Sequence, residues 1–99
     1  MDIDLNRKRA EIFKALANPV RLDIIDLLVE GEQCVCEIQE RLQKYQQAHI
    51  SKSLQKLKSV GLIKDRREGM NVYYSLRIGC MSEFFECVTM FISGEIDSC

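Results

Sequence analysis

The chain is 99 residues long and 46% hydrophobic, enough for one small domain with a modest core that a second copy would enlarge. A formal net charge of −1 gives no sign of a nucleic-acid partner, and no apolar run is long enough for a membrane helix. Met-Asp-Ile-Asp lacks the pattern of a signal peptide, so a cytoplasmic location is expected, with no membrane partner.

Leu5 to Ala17 reads as a first helix, with Leu5, Ile12, Phe13 and Leu16 on one side. Asn18-Pro19 marks a junction: Asn suits an N-cap and Pro the first helical position. Val20 to Val29 is then a second helix, broad in its apolar face and therefore central. Cys34 to Leu42 reads as a short third helix with Val35, Ile38 and Leu42 inward. Gln43 to Gln47 is a polar connector.

Ala48 to Val60 carries Ile50, Leu54, Leu57 and Val60 at helical spacing. Its polar face holds His49, Ser51, Lys52, Ser53, Gln55, Lys56 and Lys58. Gly61 suits a left-handed cap. Leu62–Arg67 and Val72–Leu76, joined by E-G-M-N, read as a two-stranded hairpin. Residues 44–67 hold seven of the 14 basic residues against a single acid, Asp65. This local excess suits attraction to phosphates. The plainer alternative is a solvated helix face. Helix, glycine and basic hairpin in that order look like a recognition helix followed by a wing.

Met81 to Ile92 reads as a fifth helix, apolar over more than half its circumference. It needs cover on two sides, either from the rest of the chain or from the same helix of a second copy in a two-fold dimer. Gly94 to Cys99 is a short acidic tail. The expected fold is mainly α with a small β-hairpin: a single homodimeric winged helix-turn-helix domain over residues 1–99. Residues 5–17 and 81–92 would dimerise it, and 34–76 would read DNA.

The chain resembles the ArsR/SmtB family of prokaryotic metalloregulatory repressors. The likeness lies in L-A-N-P-V-R-L-D-I-I (16–25), C-V-C-E-I (34–38), I-S-K-S-L-Q-K-L-K-S-V-G-L-I (50–63) and D-R-R-E-G-M-N-V-Y-Y-S-L (65–76). It implies a homodimeric operator-binding repressor that leaves DNA when an inducer binds. It does not extend to two metal sites of the family. The last helix has no histidine–carboxylate pairs, and there is no N-terminal cysteine pair.

A helix entering the major groove presents its N-terminal side chains to base edges, here Gln47, His49, Ser51, Lys52 and Ser53. Lys56, Arg66 and Arg67 suit phosphates. A two-fold dimer would favour double-stranded DNA with an imperfect palindrome. DNA binding itself needs no cofactor.

Five cysteines, an odd number, argue against a disulfide framework in a cytosolic chain. Cys34-Val35-Cys36 stands at the start of the third helix, and two thiolates there would take a soft metal or metalloid such as As(III) or Cd(II) as inducer. The family's arsenite signature has a third cysteine where this chain has Gln39. A third ligand would therefore come from Cys80, Cys87 or Cys99, or from a partner subunit. Alternatively the thiols are redox or persulfide sensors. A direct Cys34–Cys36 disulfide is expected to be strained, so that version needs Cys80, Cys87 or Cys99 as the resolving thiol. Cys87 is expected in the core or a dimer interface. Buried structural cysteines and a winged helix used only for protein contact are the further alternatives. No grouping of side chains is arranged for catalysis.

Overall fold

A computed structural model describes residues 2–95. Cys99 and most of the acidic tail lie outside them. The first helix, α1 (Ile3–Leu16), starts two residues earlier than its periodicity predicts, because Asp2 caps it by accepting from the Leu5 N–H at 3.0 Å. Asn18 caps α2 (Pro19–Val29) as expected, accepting from Val20 N at 2.9 Å. Arg21 of the N-P-V-R segment reaches back and donates to the Ala15 carbonyl at 3.3 Å, tying α2 to the end of α1.

A strand not anticipated from the sequence precedes the third helix. β1 (Gln33–Cys34) pairs antiparallel with β3 (Asn71–Leu76), Gln33 opposite Tyr74 and Cys34 opposite Tyr73. β2 (Ile63–Glu68) pairs with the other edge of β3, so the sheet order is β1-β3-β2. α3 (Val35–Arg41) begins as soon as β1 ends. Cys34 is therefore both the last strand residue and the helix N-cap.

The basic stretch forms α4 (Gln47–Ser59), one residue offset from its predicted span. Its end is a complete two-bond cap. Gly61 N donates to Lys58 O at 2.9 Å and Leu62 N to Leu57 O at 3.1 Å, with Gly61 at φ +83°. Only a glycine enters that region without strain, so the helix turns into the hairpin within two residues. Gly69 and Met70 form the hairpin turn between the paired Glu68 and Asn71.

The core lies where α2, α3, α4 and the base of the hairpin meet. Ile24, Ile25, Ile38, Ile50, Leu57, Leu62 and Ile63 are fully buried. The last helix, α5 (Met81–Ser93), gives this core only Met81 among its buried residues. Phe84, Phe91 and Ile92 are 47, 62 and 77% exposed, and Phe13 of α1 is 55% exposed beside Phe84. The other described elements therefore leave much of the apolar face of α5 uncovered. Cys87, expected in a core or interface, lies outside the protomer's core on this exposed helix. No helix among the described residues is long and apolar enough to cross a membrane.

Candidate nucleic-acid interface and thiol site

The α4 side chains sort by helical position. Ile50, Ser53, Leu54 and Leu57 face the core, while Gln47, His49, Ser51, Lys52 and Lys56 are exposed. Ser53 is 3% exposed, which corrects its assignment as a DNA contact. It stands three residues after Ile50 and four before Leu57, on the buried stripe. Ala48 and Gln55, four before and three after Lys52, share its exposed strip. Ala48 offers a methyl for thymine and Gln55 an amide for adenine. The same spacing argument finds both.

The start of α4 is held by a polar clasp. Tyr45 donates its hydroxyl to Asp23 of α2 at 2.6 Å, and Lys44 pairs with the same carboxylate at 3.3 Å. These contacts push both the Tyr45 hydroxyl and the Lys44 ammonium above their ordinary pKa. Tyr45 also sits edge-on to His49, ring centroids 6.1 Å apart. The unpaired segment before α4 is thereby fixed to the central helix.

Arg66 and Arg67 are neighbours on β2 and point to opposite faces of the sheet. Arg66 donates to Glu32 at 2.7 Å and to Glu68 at 2.6 Å, with its guanidinium 4.6 Å from the Tyr73 ring centre. The Arg66 contact holds the Glu32 carboxyl below its ordinary range. Arg67 has no ion pair among the described residues. Lys58 is tied to Asp65 at 2.9 Å, which raises the ammonium and lowers the carboxyl. The exposed cations without a carboxylate partner along this unit include Lys52, Lys56 and Arg67.

Cys34 and Cys36 are joined by a disulfide across a Cα–Cα distance of 5.4 Å. That span lies within the ordinary Cα–Cα range for disulfides. Cys34 is 6% exposed, and its sulfur accepts from the Glu37 N–H at 3.3 Å. Glu37 returns the bond, accepting from Cys34 N at 3.2 Å. Cys36 faces solvent. Cys34 and Cys36 line a 330 Å³ cavity with Gln39 of α3 and Met70, Asn71 and Val72 of the wing. Among the described residues no group of three His, Cys, Asp or Glu side chains converges to hold a metal. Cys80 and Cys87 are exposed, at the cap and in the body of α5.

A short helix, a connector, an exposed basic helix and a two-stranded wing define the winged helix-turn-helix class of DNA-binding regulators. Residues 18–65 match the family described as bacterial regulatory protein, arsR family. The chain is 42% identical over 76 residues to a transcriptional repressor SmtB homolog of Synechocystis, covering 77% of this chain and 57% of that protein. It is 43% identical over 68 residues to a cadmium resistance transcriptional regulatory protein CadC homolog of Staphylococcus aureus, covering 68 and 55%. It superposes with a TM-score of 0.81 on the homodimeric winged helix-turn-helix DNA-binding domain Mb0332 of Mycobacterium bovis, a possible ArsR-family regulator. That match is 32% identical and covers 97% of this chain and 91% of that domain. The chain belongs to the ArsR/SmtB family of transcriptional regulators, and these relatives are regulators, not enzymes. It spans little more than half the length of the two full-length relatives.

Proposed function

We propose that the protein is a cytoplasmic transcriptional repressor that binds an imperfect palindrome as a homodimer and is released when the Cys34/Cys36 thiols capture a soft metal or metalloid ion. The exposed basic face of α4, presented with a wing of free and clamped arginines, carries the DNA-binding part. Ala48, Ser51, Lys52 and Gln55 would read bases, while Lys56 and Arg67 hold phosphates. The uncovered apolar faces of α1 and α5 supply the two-fold interface, in keeping with the homodimeric Mb0332 domain. The thiol pair supports the sensing part. It sits where β1 passes into α3, against the wing, so an ion bound there strains the DNA-reading unit and not a distant helix. Release requires that the ion bind the DNA-free form more tightly than the DNA-bound one.

The disulfide favours a second reading. Oxidation of the two thiols to the Cys34–Cys36 bond is itself the signal, with the electrons passing to a disulfide or polysulfide oxidant. Fluorescence anisotropy on the chain's own upstream DNA separates the two. The protein would be compared reduced, reduced with As(III) or Cd(II), and oxidised, beside Cys34→Ser/Cys36→Ser. Ion-driven release lost in the double variant supports the first reading, and release only by the oxidant supports the second. Tight binding throughout overturns both and leaves the cysteines structural.

A further inference from the structure

We infer that Asp23, on α2 and outside the DNA-facing unit, is the positioning residue that sets base discrimination by α4. This inference rests on the reading of α4 as the recognition helix and names the residue that aims it.

The start of α4 is not held by its own local chemistry. α1, α2 and α3 begin on side-chain caps from Asp2, Asn18 and Cys34, whereas Gln46 gives α4 no such bond. A helix end without a cap leaves its first turn weakly held. Ala48, Ser51 and Lys52, which the reading above turns toward base edges, stand on that turn and the next.

The hold comes instead from 22 positions away in the sequence. Tyr45, one residue before the helix cap, donates its hydroxyl to Asp23 Oδ2 at 2.6 Å, and the Lys44 ammonium lies 3.3 Å from the same oxygen. One atom thus fixes two consecutive residues where the chain enters α4. The anchor itself is firm, because Asp23 is followed on the central helix by Ile24 and Ile25, both fully buried. The Tyr45 ring packs on the same core and meets His49, four residues on, edge to face. Connector, ring and first turn therefore move with α2.

Aim matters more for bases than for phosphates. A hydrogen bond to a base edge needs its donor and acceptor within a narrow range of distance and angle. Lys56 and Arg67 are exposed and long, and they can follow a phosphate through a small shift of the helix. Loss of the anchor should therefore lower discrimination among sequences and leave sequence-independent binding in place.

The test compares the chain's own upstream DNA with a scrambled fragment of equal length, by anisotropy on reduced full-length protein. Tyr45→Phe removes one oxygen and keeps the ring. Asp23→Ala removes the acceptor, while Asp23→Asn retains an oxygen for Tyr45. Tyr45→Phe and Asp23→Ala should each cut the ratio of upstream to scrambled affinity by about tenfold, with scrambled DNA bound no more weakly than by wild type. Asp23→Asn should keep most of the ratio. Adding Tyr45→Phe to Asp23→Ala should cost nothing further, because the two side chains act through one bond. Equal losses on both fragments, or additive losses in the double variant, would make the pair ordinary structural support and overturn the inference. If wild type discriminates and the ratio is untouched by Tyr45→Phe and Asp23→Ala, this inference alone fails. If wild type binds both fragments alike, the recognition-helix reading fails with it.

Discussion

Arg66 and Arg67 carry the same charge on adjacent residues, yet replacing each with alanine should give different salt dependences. Arg67 has no carboxylate partner among the described residues, whereas Arg66 is held by Glu32, Glu68 and the face of Tyr73. Neutralising a phosphate releases counterions, so each contact contributes about 0.9 to the slope of log K against log salt. In a two-fold dimer Arg67→Ala removes two such contacts, and the slope should fall by about 1.8. From about 50 to 200 mM salt, the affinity deficit of Arg67→Ala should therefore shrink by about 12-fold. Arg66→Ala should change the slope by well under half as much, because its charge is already matched by two carboxylates. Anisotropy titrations over that salt range on one operator fragment measure both. A slope loss for Arg66→Ala equal to that for Arg67→Ala would show that Arg66 leaves its carboxylates for DNA, and the assignment of roles would be wrong.

Gly61→Ala meets no heavy atom within 4 Å but must adopt φ +83°. The cost is about 1–2 kcal/mol, read as a fall in melting temperature of about 4–8 °C per kcal/mol for a domain of this size. An unchanged melting temperature would refute the cap. Tyr45→Phe removes the hydroxyl held by Asp23 and should weaken DNA binding without altering the salt slope, since no phosphate contact is lost. A changed slope would place Tyr45 at the DNA instead. The Glu32 carboxyl is held below its ordinary 4.5 by Arg66, so this contact stabilises fully above 4.5 and fades as pH falls through the lowered value. Urea midpoints of wild type and Glu32→Gln should therefore differ at neutral pH and converge in acid; a gap that persists in acid would contradict the linkage.

The parts of this fold fixed by local chemistry could be read in the sequence. Asn18-Pro19 is a cap because a side-chain oxygen and a missing N–H are needed at adjacent positions, and Gly61 because one residue must have positive φ. What escaped depends on distance along the chain. β1 is two residues long and exists only because β3 offers it an edge. The Arg66–Glu32 pair spans 34 positions, so no periodicity reports it. Ser53 was legible in principle, since helical spacing places it on the buried stripe, but its hydroxyl suggested an exposed role. A direct Cys34–Cys36 pairing could be weighed from the sequence, but the sharp passage from strand to helix at Cys34, which brings the sulfurs together, could not, because it depends on that unforeseen strand.

The cap of α3 has a consequence for how the molecule opens. α1 and α2 begin on the oxygens of Asp2 and Asn18, whereas α3 begins on a sulfur, a far weaker acceptor. α3 is also only seven residues long, too short to hold itself together without its first turn. Hydrogen exchange should thus find the amides at the start of α3 losing protection before those of α2 and α4, through a local opening far below the energy of global unfolding. The segment between the central helix and the DNA reader is the one that yields first, so a modest chemical event at its sulfur is enough to be felt.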